Sequence, residues 1–433
     1  MLKCDSRLIK SGDTFIAIKG EVYDGHNYVE DAISNGAIKI IAEYGEYSVE
    51  TEIVLSTKKY LEEYLRNNLP NIKIIGITGT NGKTTTSYLI WQIFNKLNIK
   101  CSYIGTLGFY LDKKVKDLTN TTPGYMELFE LINEAYNSGC KYIVMEVSSQ
   151  ALSQGRVDFI DFDYAIFTNL TQDHLDYHKT MENYVEAKQK LFYLLKENGI
   201  GIINYDDVCS NYFQIKNYLT YGYSECDYQI NGYNAFTINE EEYEIKLVGK
   251  YNIYNMTAAI CLFYQLGYNH NDLCKIISNC YAPEGRMDLI SKNNRNAIVD
   301  YAHTPDAVLN ILESVRTLKY NKIITVIGCG GNRDKTKRPI MGNIATNYSD
   351  YVIFTSDNPR DEEPEDILYD ITHNLDKNNY EIESNREIAI KKGIQLLGKN
   401  DILIVLGKGH EKYQIIKNKK IFFDDKQIIL DNI

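Results

Sequence analysis

The sequence predicts an α/β protein made of three successive domains. Strand-like apolar segments alternate with helix-like segments along most of the chain, which is typical of a mainly parallel sheet. The alternation restarts near residue 286, and 433 residues are too many for one ordinary core. We therefore expect a small N-terminal α/β domain over 1–71, a central parallel-sheet domain over 72–285 and a C-terminal α/β domain over 286–433.

Short apolar segments mark the expected elements. In the first domain, residues 15–20 and 38–45 indicate strands, and residues 28–37 indicate a helix between them. The central domain shows four strands, an antiparallel excursion and a long helix, in that order, at 72–78, 141–147, 163–169, 201–205, 222–248 and 251–267. The strands expected in the C-terminal domain are 297–303, 322–330, 351–357 and 401–407.

Composition argues against several classes of protein. The net charge of −11 disfavours nucleic acid as a partner. No apolar run is long enough to span a membrane, and the first residues lack the apolar segment of a secretory signal, so we expect a cytoplasmic protein. The nine cysteines form no CxxC pair, which favours free thiols over a disulfide framework or a zinc site.

A phosphate-binding loop is expected between the 72–78 strand and the helix that follows it. Backbone N–H groups of a Gly-rich turn and a helix N-terminus favour phosphate oxygens, the lysine can reach the outer phosphates, and the threonine after it can bind Mg²⁺. Ile77 stands where the usual GxxxxGK spacing has its first Gly, and an ordinary Gly-rich turn is the alternative. The nucleotide-binding residues predicted here are Gly79, Thr80, Asn81, Gly82, Lys83, Thr84 and Thr85.

Two further strand ends carry groups that suit a hard cation. Glu146 ends the 141–147 strand, and Asp173 and His174 follow the 163–169 strand. Because parallel α/β sheets bind ligands at the carboxyl ends of their strands, these side chains are candidates for one site. A lone histidine is more often structural, but two neighbouring strand ends favour a ligand role for His174.

With these strand ends, GTNGKTT resembles the ATP loop of the Mur ligase family, and the resemblance extends from Asp5 to Gln414. It implies a UDP-binding first domain, a central ATPase and a Rossmann-like C-terminal domain that carries an incoming amino acid. It is greatest to the members that add the third residue of the cell-wall stem peptide. We therefore expect an ATP-dependent, ADP-forming amide ligase that uses an acyl-phosphate intermediate.

The resemblance also implies a metal centre with two Mg²⁺ ions. Thr84, Glu146 and His174 would surround them, together with Lys188 carbamylated by CO₂. On its own, the sequence around Lys188 indicates only a helix lysine that faces water. Carbamylation would turn an ammonium into an anionic oxygen ligand, and Mg²⁺ and Lys83 would offset charge on the transferred phosphoryl group.

Adenine and ribose contacts are expected further along the chain. Asn252 and Asn255 lie three residues apart on one helix face, and Asn amides can pair with adenine. Capping of the helix by Asn252 is the alternative. By resemblance, Asp300 and His303 in DYAHTP close over the nucleotide, and Arg286 reaches its phosphates unless it has a structural role.

The nucleotide-sugar substrate is implied to be UDP-N-acetylmuramoyl-L-alanyl-D-glutamate. The segments DSR and DGH resemble uridine-binding segments, in a first domain that we expect to be shortened. Gln150 and Gly124 depart from the family pattern without touching the core chemistry. The residues predicted to hold this substrate are Ser6, Thr121, Thr122, Ser148, Gln154 and Arg156.

The resemblance implies that the incoming amino acid is meso-diaminopimelate, because the segment DNPR marks the family members that add it, and that the residues named below form its pocket. This compound differs from lysine by a second carboxylate, which a guanidinium such as that of Arg360 binds through two parallel hydrogen bonds. Glu411 would bind the distal ammonium, and a structural DNPR turn is the alternative. The residues predicted for this pocket are Arg333, Asp357, Asn358, Pro359, Arg360, Gly407 and Glu411.

Parts of the sequence are also compatible with other functions. The same ligase could add L-lysine or another diamino acid, and a folylpolyglutamate synthetase shares the ATPase core but lacks the DSR, DNPR and GKGHE segments. A catalytically inactive, nucleotide-binding scaffold would have lost Lys83, Glu146 or Lys188, and all three are present. We expect a monomer that has no membrane partner.

Overall fold

The computed structural model of the protein describes residues 1–20, 23–233, 235–417 and 419–433. Three β-sheets with helices between their strands follow one another along the chain, and a two-stranded hairpin lies near its end. The predicted α/β class is confirmed. The first sheet ends at Ile53 and the third begins at Asp288, which supports our proposed domain limits near residues 71 and 286.

The N-terminal sheet is parallel and small. Its elements are β1 (Leu2–Lys3), β2 (Thr14–Ile16), α1 (Val29–Ser34), β3 (Lys39–Ala42), β4 (Glu50–Ile53) and α2 (Thr57–Asn67). One face packs Phe15 and Ile40 against Val29 of α1. Ile16 and Ile41 point to the other face, because successive strand residues alternate, and they join the core of the central sheet.

The central sheet has β5 at its middle, between β10 and β9, with parallel pairing on both sides. The strands are β5 (Lys73–Thr78), β6 (Cys101–Gly105), β7 (Gly108–Tyr110), β8 (Lys114–Lys116), β9 (Tyr142–Glu146), β10 (Phe162–Phe167), β11 (Leu195–Asn204), β12 (Asn217–Gly222), β13 (Tyr228–Gly232), β14 (Ala235–Ile238) and β15 (Glu241–Glu244). The last three strands pair antiparallel, so the antiparallel excursion predicted over 222–248 is confirmed.

Helices cover both faces of this sheet. They are α3 (Lys83–Lys96), α4 (Tyr125–Asn137), α5 (Ser149–Ser153), α6 (Leu175–His178), α7 (Met181–Tyr193), α8 (Lys250–Gln265) and α9 (His270–Ile277). Most side chains of α3 and α8 are buried, and the two helices pack against each other. A helix that is buried on nearly every side lies in a core, so the loop that precedes α3 is attached to a rigid helix.

The C-terminal sheet has the strand order β16-β17-β21-β18-β19-β20 and is parallel except at β16. Its elements are β16 (Asp288–Lys292), β17 (Arg295–Asp300), α10 (Pro305–Arg316), β18 (Ile323–Ile327), α11 (Lys337–Tyr348), β19 (Tyr351–Phe354), α12 (Pro364–Thr372), β20 (Tyr380–Ile382), α13 (Arg386–Gln395) and β21 (Ile402–Leu406). The hairpin β22 (Tyr413–Ile416) and β23 (Lys419–Phe422) and helix α14 (Asp425–Asn432) follow. Separate apolar cores lie on the two faces, as in doubly wound folds.

The loops at the carboxyl ends of the two large sheets meet. Asn81 Nδ2 donates to Asp306 Oδ2 at 2.9 Å, and Gln172 Nε2 donates to Thr336 Oγ1 at 2.9 Å. Each bond joins the central part of the chain to the C-terminal part. These two bonds therefore bridge the cleft between the central sheet and the C-terminal sheet. No helix within the described ranges is both long and apolar enough to cross a membrane.

Candidate active site

The loop between β5 and α3 has a shape that only glycine permits at two positions. Gly79 has φ +150°, and a Cβ there would lie 1.9 Å from the hydroxyl oxygen of Thr168. Gly82 caps α3 with φ +85°. The N–H of Thr80 donates to the carbonyl of Asn169 at 2.8 Å, which ties the loop to the end of β10. The N-terminus of α3 is thus fixed at a cavity, where it favours an anion.

Two lysines meet at one backbone carbonyl of this loop. Lys83 Nζ and Lys188 Nζ each donate to the carbonyl oxygen of Gly79 at 2.8 Å. Lys188 is only 1% exposed, so its sequence interpretation as a water-facing lysine is wrong. Helix α7 turns it inward beside Tyr184, whose ring centroid lies 4.5 Å from Nζ. Burial, and then the charge of Lys83, hold the pKa of Lys188 well below its ordinary range.

Glu146 ends β9 as a fully buried carboxylate surrounded by donors. Its Oε1 accepts from the Tyr103 hydroxyl at 2.5 Å and from the Thr106 N–H at 2.9 Å. Its Oε2 accepts from the hydroxyls of Thr84 at 2.8 Å and Thr106 at 3.0 Å. Thr84 and Glu146, which the resemblance implies around the same metal ions, are thus hydrogen-bonded to each other in the structure.

His174 is the N-cap residue before α6 and has a left-handed backbone, φ +55°. Burial lowers the pKa of its imidazole, although Asp173 opposes that shift. Burial alone would raise the pKa of Asp173, but Lys337 and His174 hold it below its ordinary value. Lys337 Nζ lies 3.4 Å from Asp173 Oδ1, so a buried cation of the C-terminal part faces the strand end that carries His174.

One cavity of about 440 Å³ joins these groups. Its central-domain wall includes Thr84, Glu146, His174, Lys188 and Lys83, as well as Thr80, Asn81, Gly82 and Thr85. Its C-terminal wall includes Arg286, Tyr301, His303, Arg333, Arg360, His410, Glu411 and Tyr413. The cavity can therefore bring a phosphate chain, cations and a second polar substrate together.

The C-terminal wall combines cations with one carboxylate. Arg360 Nη1 donates to the carbonyl of Gly331 at 2.7 Å, and burial and then Arg333 lower the pKa of Arg360. Glu411 Oε2 accepts from Asn358 Nδ2 at 2.9 Å and lies 3.3 Å from Lys408 Nζ. This wall therefore offers charges of both signs to a ligand in the cavity.

Four residues predicted for the same pocket, Asp357, Asn358, Pro359 and Gly407, are not among the described residues that line it. A Cβ on Gly407, where φ is +110°, would lie 2.4 Å from Asp357 Oδ2. Pro359 has a similar supporting role, since a Cβ on Gly331 would lie 1.9 Å from its carbonyl oxygen. Asp357, Pro359 and Gly407 therefore shape the loops that hold Arg360 and Glu411.

A second cavity of about 300 Å³ adjoins the phosphate loop. Asn252 and Asn255 line it, and Asn255 Nδ2 donates to Asn252 Oδ1 at 3.2 Å. The residue that caps α8 is Gly249, so helix capping by Asn252 is excluded as its role. Lys250 also lines this cavity, with Nζ 4.5 Å from the ring centroid of Tyr223.

The DYAHTP segment closes the second cavity from the C-terminal side. Asp300 accepts from the N–H groups of Met287 and Ala302, both at 2.7 Å. Burial raises the pKa of Asp300, and burial lowers the pKa of His303 to about 4. Arg286 lines both cavities and donates to the Thr84 hydroxyl at 3.3 Å.

The residues predicted to hold the sugar and peptide fall into two groups. Thr121, Thr122, Ser148 and Arg156 line the larger cavity, where Arg156 Nη1 donates to the carbonyl of Thr122 at 2.9 Å. Gln154 accepts from Arg156 Nε at 2.8 Å, and Ser6 is buried in the N-terminal part. Neither Gln154 nor Ser6 is among the described residues that line the two cavities.

The chain is similar to known proteins along nearly its whole length. Three family models match in sequence order: "Mur ligase family, catalytic domain" over residues 1–79, "Mur ligase middle domain" over 77–263 and "Mur ligase, glutamate ligase domain" over 285–409. The chain belongs to the Mur ligase family.

Relatives of this Mur ligase carry a common name, UDP-N-acetylmuramoyl-L-alanyl-D-glutamate–2,6-diaminopimelate ligase. One from Fusobacterium nucleatum is 41% identical over 99% of this chain and 92% of its own length. One from Aquifex aeolicus is also 41% identical, over 98% of this chain and 92% of its own length. A solved structure with that name is 32% identical with a TM-score of 0.70, and the match covers 100% of this chain and 94% of the other.

Several groups in the site of this Mur ligase were not predicted as functional residues. Tyr103, Thr106 and Lys337 contact the predicted residues directly. Thr106 follows β6, the parallel neighbour of β9, so the strand-end rule applied to one more strand would have found it. Lys337 had no such signal, because its partner Asp173 lies 164 residues away across the cleft.

The loop that carries Arg333 is held by an ion pair whose contribution depends on pH. Glu362 accepts from Nη1 and Nη2 of buried Arg338, and from the N–H of Asn332 at 2.5 Å. The hydrogen bonds from Arg338, ahead of burial, lower the pKa of Glu362 from 4.5 to about 2. The pair therefore stabilises the fold above pH 4.5, and this contribution is lost as pH falls towards 2.

Glu362→Gln should lower the free energy of unfolding by about 2 kcal/mol at neutral pH. The loss should shrink at about pH 3, because the Glu362 carboxylate is then protonated in the unfolded state but still mostly ionised in the folded state. Urea denaturation at both pH values measures it, with exposed Glu365→Gln as the control. A deficit of the same size at both pH values would contradict a charge effect.

Proposed function

We propose that this chain is an ATP-dependent ligase that adds meso-diaminopimelate to the D-glutamate of UDP-N-acetylmuramoyl-L-alanyl-D-glutamate. ATP is converted to ADP and phosphate, and the product is a precursor of peptidoglycan. The names of the relatives support the substrates. One observation carries the chemistry: the lysine pair at Gly79 and the Thr84–Glu146 pair share a cavity with Arg333, Arg360 and Glu411.

The reaction has two steps that conserve atoms and charge. The substrate carboxylate attacks the γ-phosphorus of ATP, the bond to the β-phosphate oxygen breaks, and ADP leaves. The amine of the second substrate then attacks the acyl carbon, phosphate leaves with the former carboxylate oxygen, and the nitrogen loses a proton. Lys83 lies beside the phosphate loop and offsets charge on the transferred phosphoryl group.

The residues present suit a divalent cation. The hydroxyl of Thr84 and the carboxylate of Glu146 lie side by side, and the low pKa of His174 keeps its imidazole neutral, as a metal ligand must be. Within the described ranges, no cluster of three or more His, Cys, Asp and Glu side chains could hold a metal unaided. Thr84 and a modified Lys188 would therefore have to complete the set. Bound Mg²⁺, which we propose as two ions, would neutralise phosphate charge.

Lys188 suits carbamylation in its position and in its chemistry. Its low pKa favours the neutral amine, which is the form that attacks CO₂. The product is a carbamate and a released proton. A carbamate keeps one N–H, so the bond to the carbonyl of Gly79 can persist. Its new negative charge would also replace a repulsive contact with Lys83 by an attractive one.

The remaining predicted residues take roles that follow their positions. We assign adenosine to the smaller cavity with Asn252, Asn255, Asp300 and His303, and Arg286 to the phosphates. Arg156, Thr121, Thr122 and Ser148 face the sugar-peptide. Gln154 orients Arg156, and Ser6 belongs to the uridine-binding part. The monomeric state expected from the sequence remains part of the proposal.

The proposal is tested by an assay of ADP release with purified protein. ADP should form only when ATP, the UDP-linked dipeptide and diaminopimelate are all present. Parallel reactions that contain L-lysine instead of diaminopimelate, or neither amino acid, show which amino acid supports ADP release. ADP release with L-lysine but not diaminopimelate would reassign the substrate. Nucleotide binding without ADP release in any arm would instead indicate an inactive scaffold.

A further inference from the structure

Tyr103 forms a contact that none of the assigned roles explains. It is fully buried on β6, and its hydroxyl donates to Glu146 Oε1 at 2.5 Å. A hydrogen bond to an ionised carboxylate at this distance belongs to the strong class. The Tyr103 hydroxyl oxygen also accepts a hydrogen bond from the N–H of Leu107 at 3.3 Å. The phenol therefore links the frame of β6 to the carboxylate at the end of β9.

The two oxygens of Glu146 have different kinds of partner. Oε1 is bound by the Tyr103 phenol and by a backbone N–H of Thr106, which are parts of the framework. Among the described residues, the donors to Oε2 are the hydroxyls of Thr84 and Thr106, both of which line the larger cavity. A hydroxyl can rotate away when a cation arrives, whereas the backbone cannot. Oε1 is thus the anchored oxygen and Oε2 the one that faces ligands.

The ring of Tyr103 is itself held rigidly. It packs edge-on against Tyr88 and Tyr110, with centroid distances of 6.2 and 5.4 Å. A Cβ at Gly105 would lie 2.3 Å from Glu146 Oε1 and 2.6 Å from the Tyr103 hydroxyl, so only glycine lets the strand pass this close. The phenol oxygen has little freedom to move away from the carboxylate.

We propose that Tyr103 is a positioning residue that orients Glu146 so that Oε2 presents itself to the divalent cation of the reaction. This role rests on the proposed function, since it assumes a cation at Glu146. Tyr103 does not line either cavity among the described residues, so it acts through Glu146 alone. Partners behind a metal ligand typically change metal affinity 10–100-fold when they are removed.

Tyr103→Phe tests this role, because it keeps the ring and removes one oxygen. In the presence of ADP, we expect Mn²⁺ to bind about 10–100-fold more weakly, as measured from free Mn²⁺ by electron paramagnetic resonance. The apparent KM for Mg²⁺ in ADP release should rise by a similar factor. The KM values for the UDP-linked dipeptide and diaminopimelate should stay within about twofold.

Tyr110→Phe is the matched control. It lies in the same aromatic group, and no hydrogen bond joins its hydroxyl to Glu146. Its Mn²⁺ affinity should equal that of the wild type. Equal losses in both variants, or wild-type Mn²⁺ affinity in Tyr103→Phe, would overturn the role of Tyr103. Failure of the proposed function is distinguished by the wild-type protein, which would then release no ADP with all three substrates.

Discussion

Replacing Lys188 with alanine should reduce kcat about 10²–10³-fold, which is the size expected when a preorganised charge is removed from a phosphoryl-transfer site. The side chain is buried and donates to the same carbonyl as Lys83. If its working form is a carbamate, alanine removes one of the two proposed anionic ligands of the cation and leaves only Glu146. Steady-state ADP release measures the loss, and the affinity for ADP should change far less.

Rescue by small molecules separates the two possible charges of Lys188. Acetate or propionate should restore part of the activity of Lys188→Ala, because a carboxylate can replace the carbamate oxygens. Ethylammonium should not. Rescue by ethylammonium alone would show that the ammonium is the working form.

The control for this experiment lies in the same helix. Lys190→Ala changes an exposed lysine of α7, and its activity should match the wild type. Removal of dissolved CO₂ should slow the wild-type enzyme and leave Lys188→Ala unchanged. Normal turnover in Lys188→Ala would remove any role of this residue in the reaction.

Much of the fold could be predicted because its signals are local. The buried strands at the centre of the two large sheets are short apolar segments. Glu146 is the last residue of β9, and the predicted phosphate loop and the pair of Asp173 and His174 follow β5 and β10, respectively. A Gly-rich loop between such a strand and a helix has few other shapes. The strand-end rule grouped Glu146 with Asp173 and His174, and the family resemblance added Thr84, which donates a hydrogen bond to Glu146 in the structure.

The side-chain arrangement across the cleft could not be predicted in this way. The mixed pattern of α7 does not reveal that Lys188 faces inward, because the neighbours that bury it come from distant parts of the chain. Asp173 and Lys337 meet only after two sheets dock. The periodicity of a local segment does not indicate which distant side chains will pair. The effect of Lys337 on the pKa of Asp173, and the contact that the pair makes across the cleft, are therefore seen only in the structure.

Replacing Arg360 with alanine should raise the KM for diaminopimelate about 10²-fold or more and leave the KM for ATP within about twofold. Loss of two charge-assisted bonds to a carboxylate, each worth about 1.5–3 kcal/mol, accounts for a change of this size. Arg360→Lys should not restore the affinity, because an ammonium lacks the planar pair of donors. Kinetics with each substrate varied in turn measure both values.

The ratio of kcat/KM for diaminopimelate to that for L-lysine decides whether Arg360 selects the amino acid or only supports its loop. Arg360 also donates to the carbonyl of Gly331, so some loosening of that loop is expected in the variant. Loosening would weaken both amino acids equally and leave the ratio unchanged. Loss of a carboxylate contact would instead bring the ratio towards one, because L-lysine has no second carboxylate to lose. Arg316→Ala, a surface change in α10, should preserve the wild-type ratio.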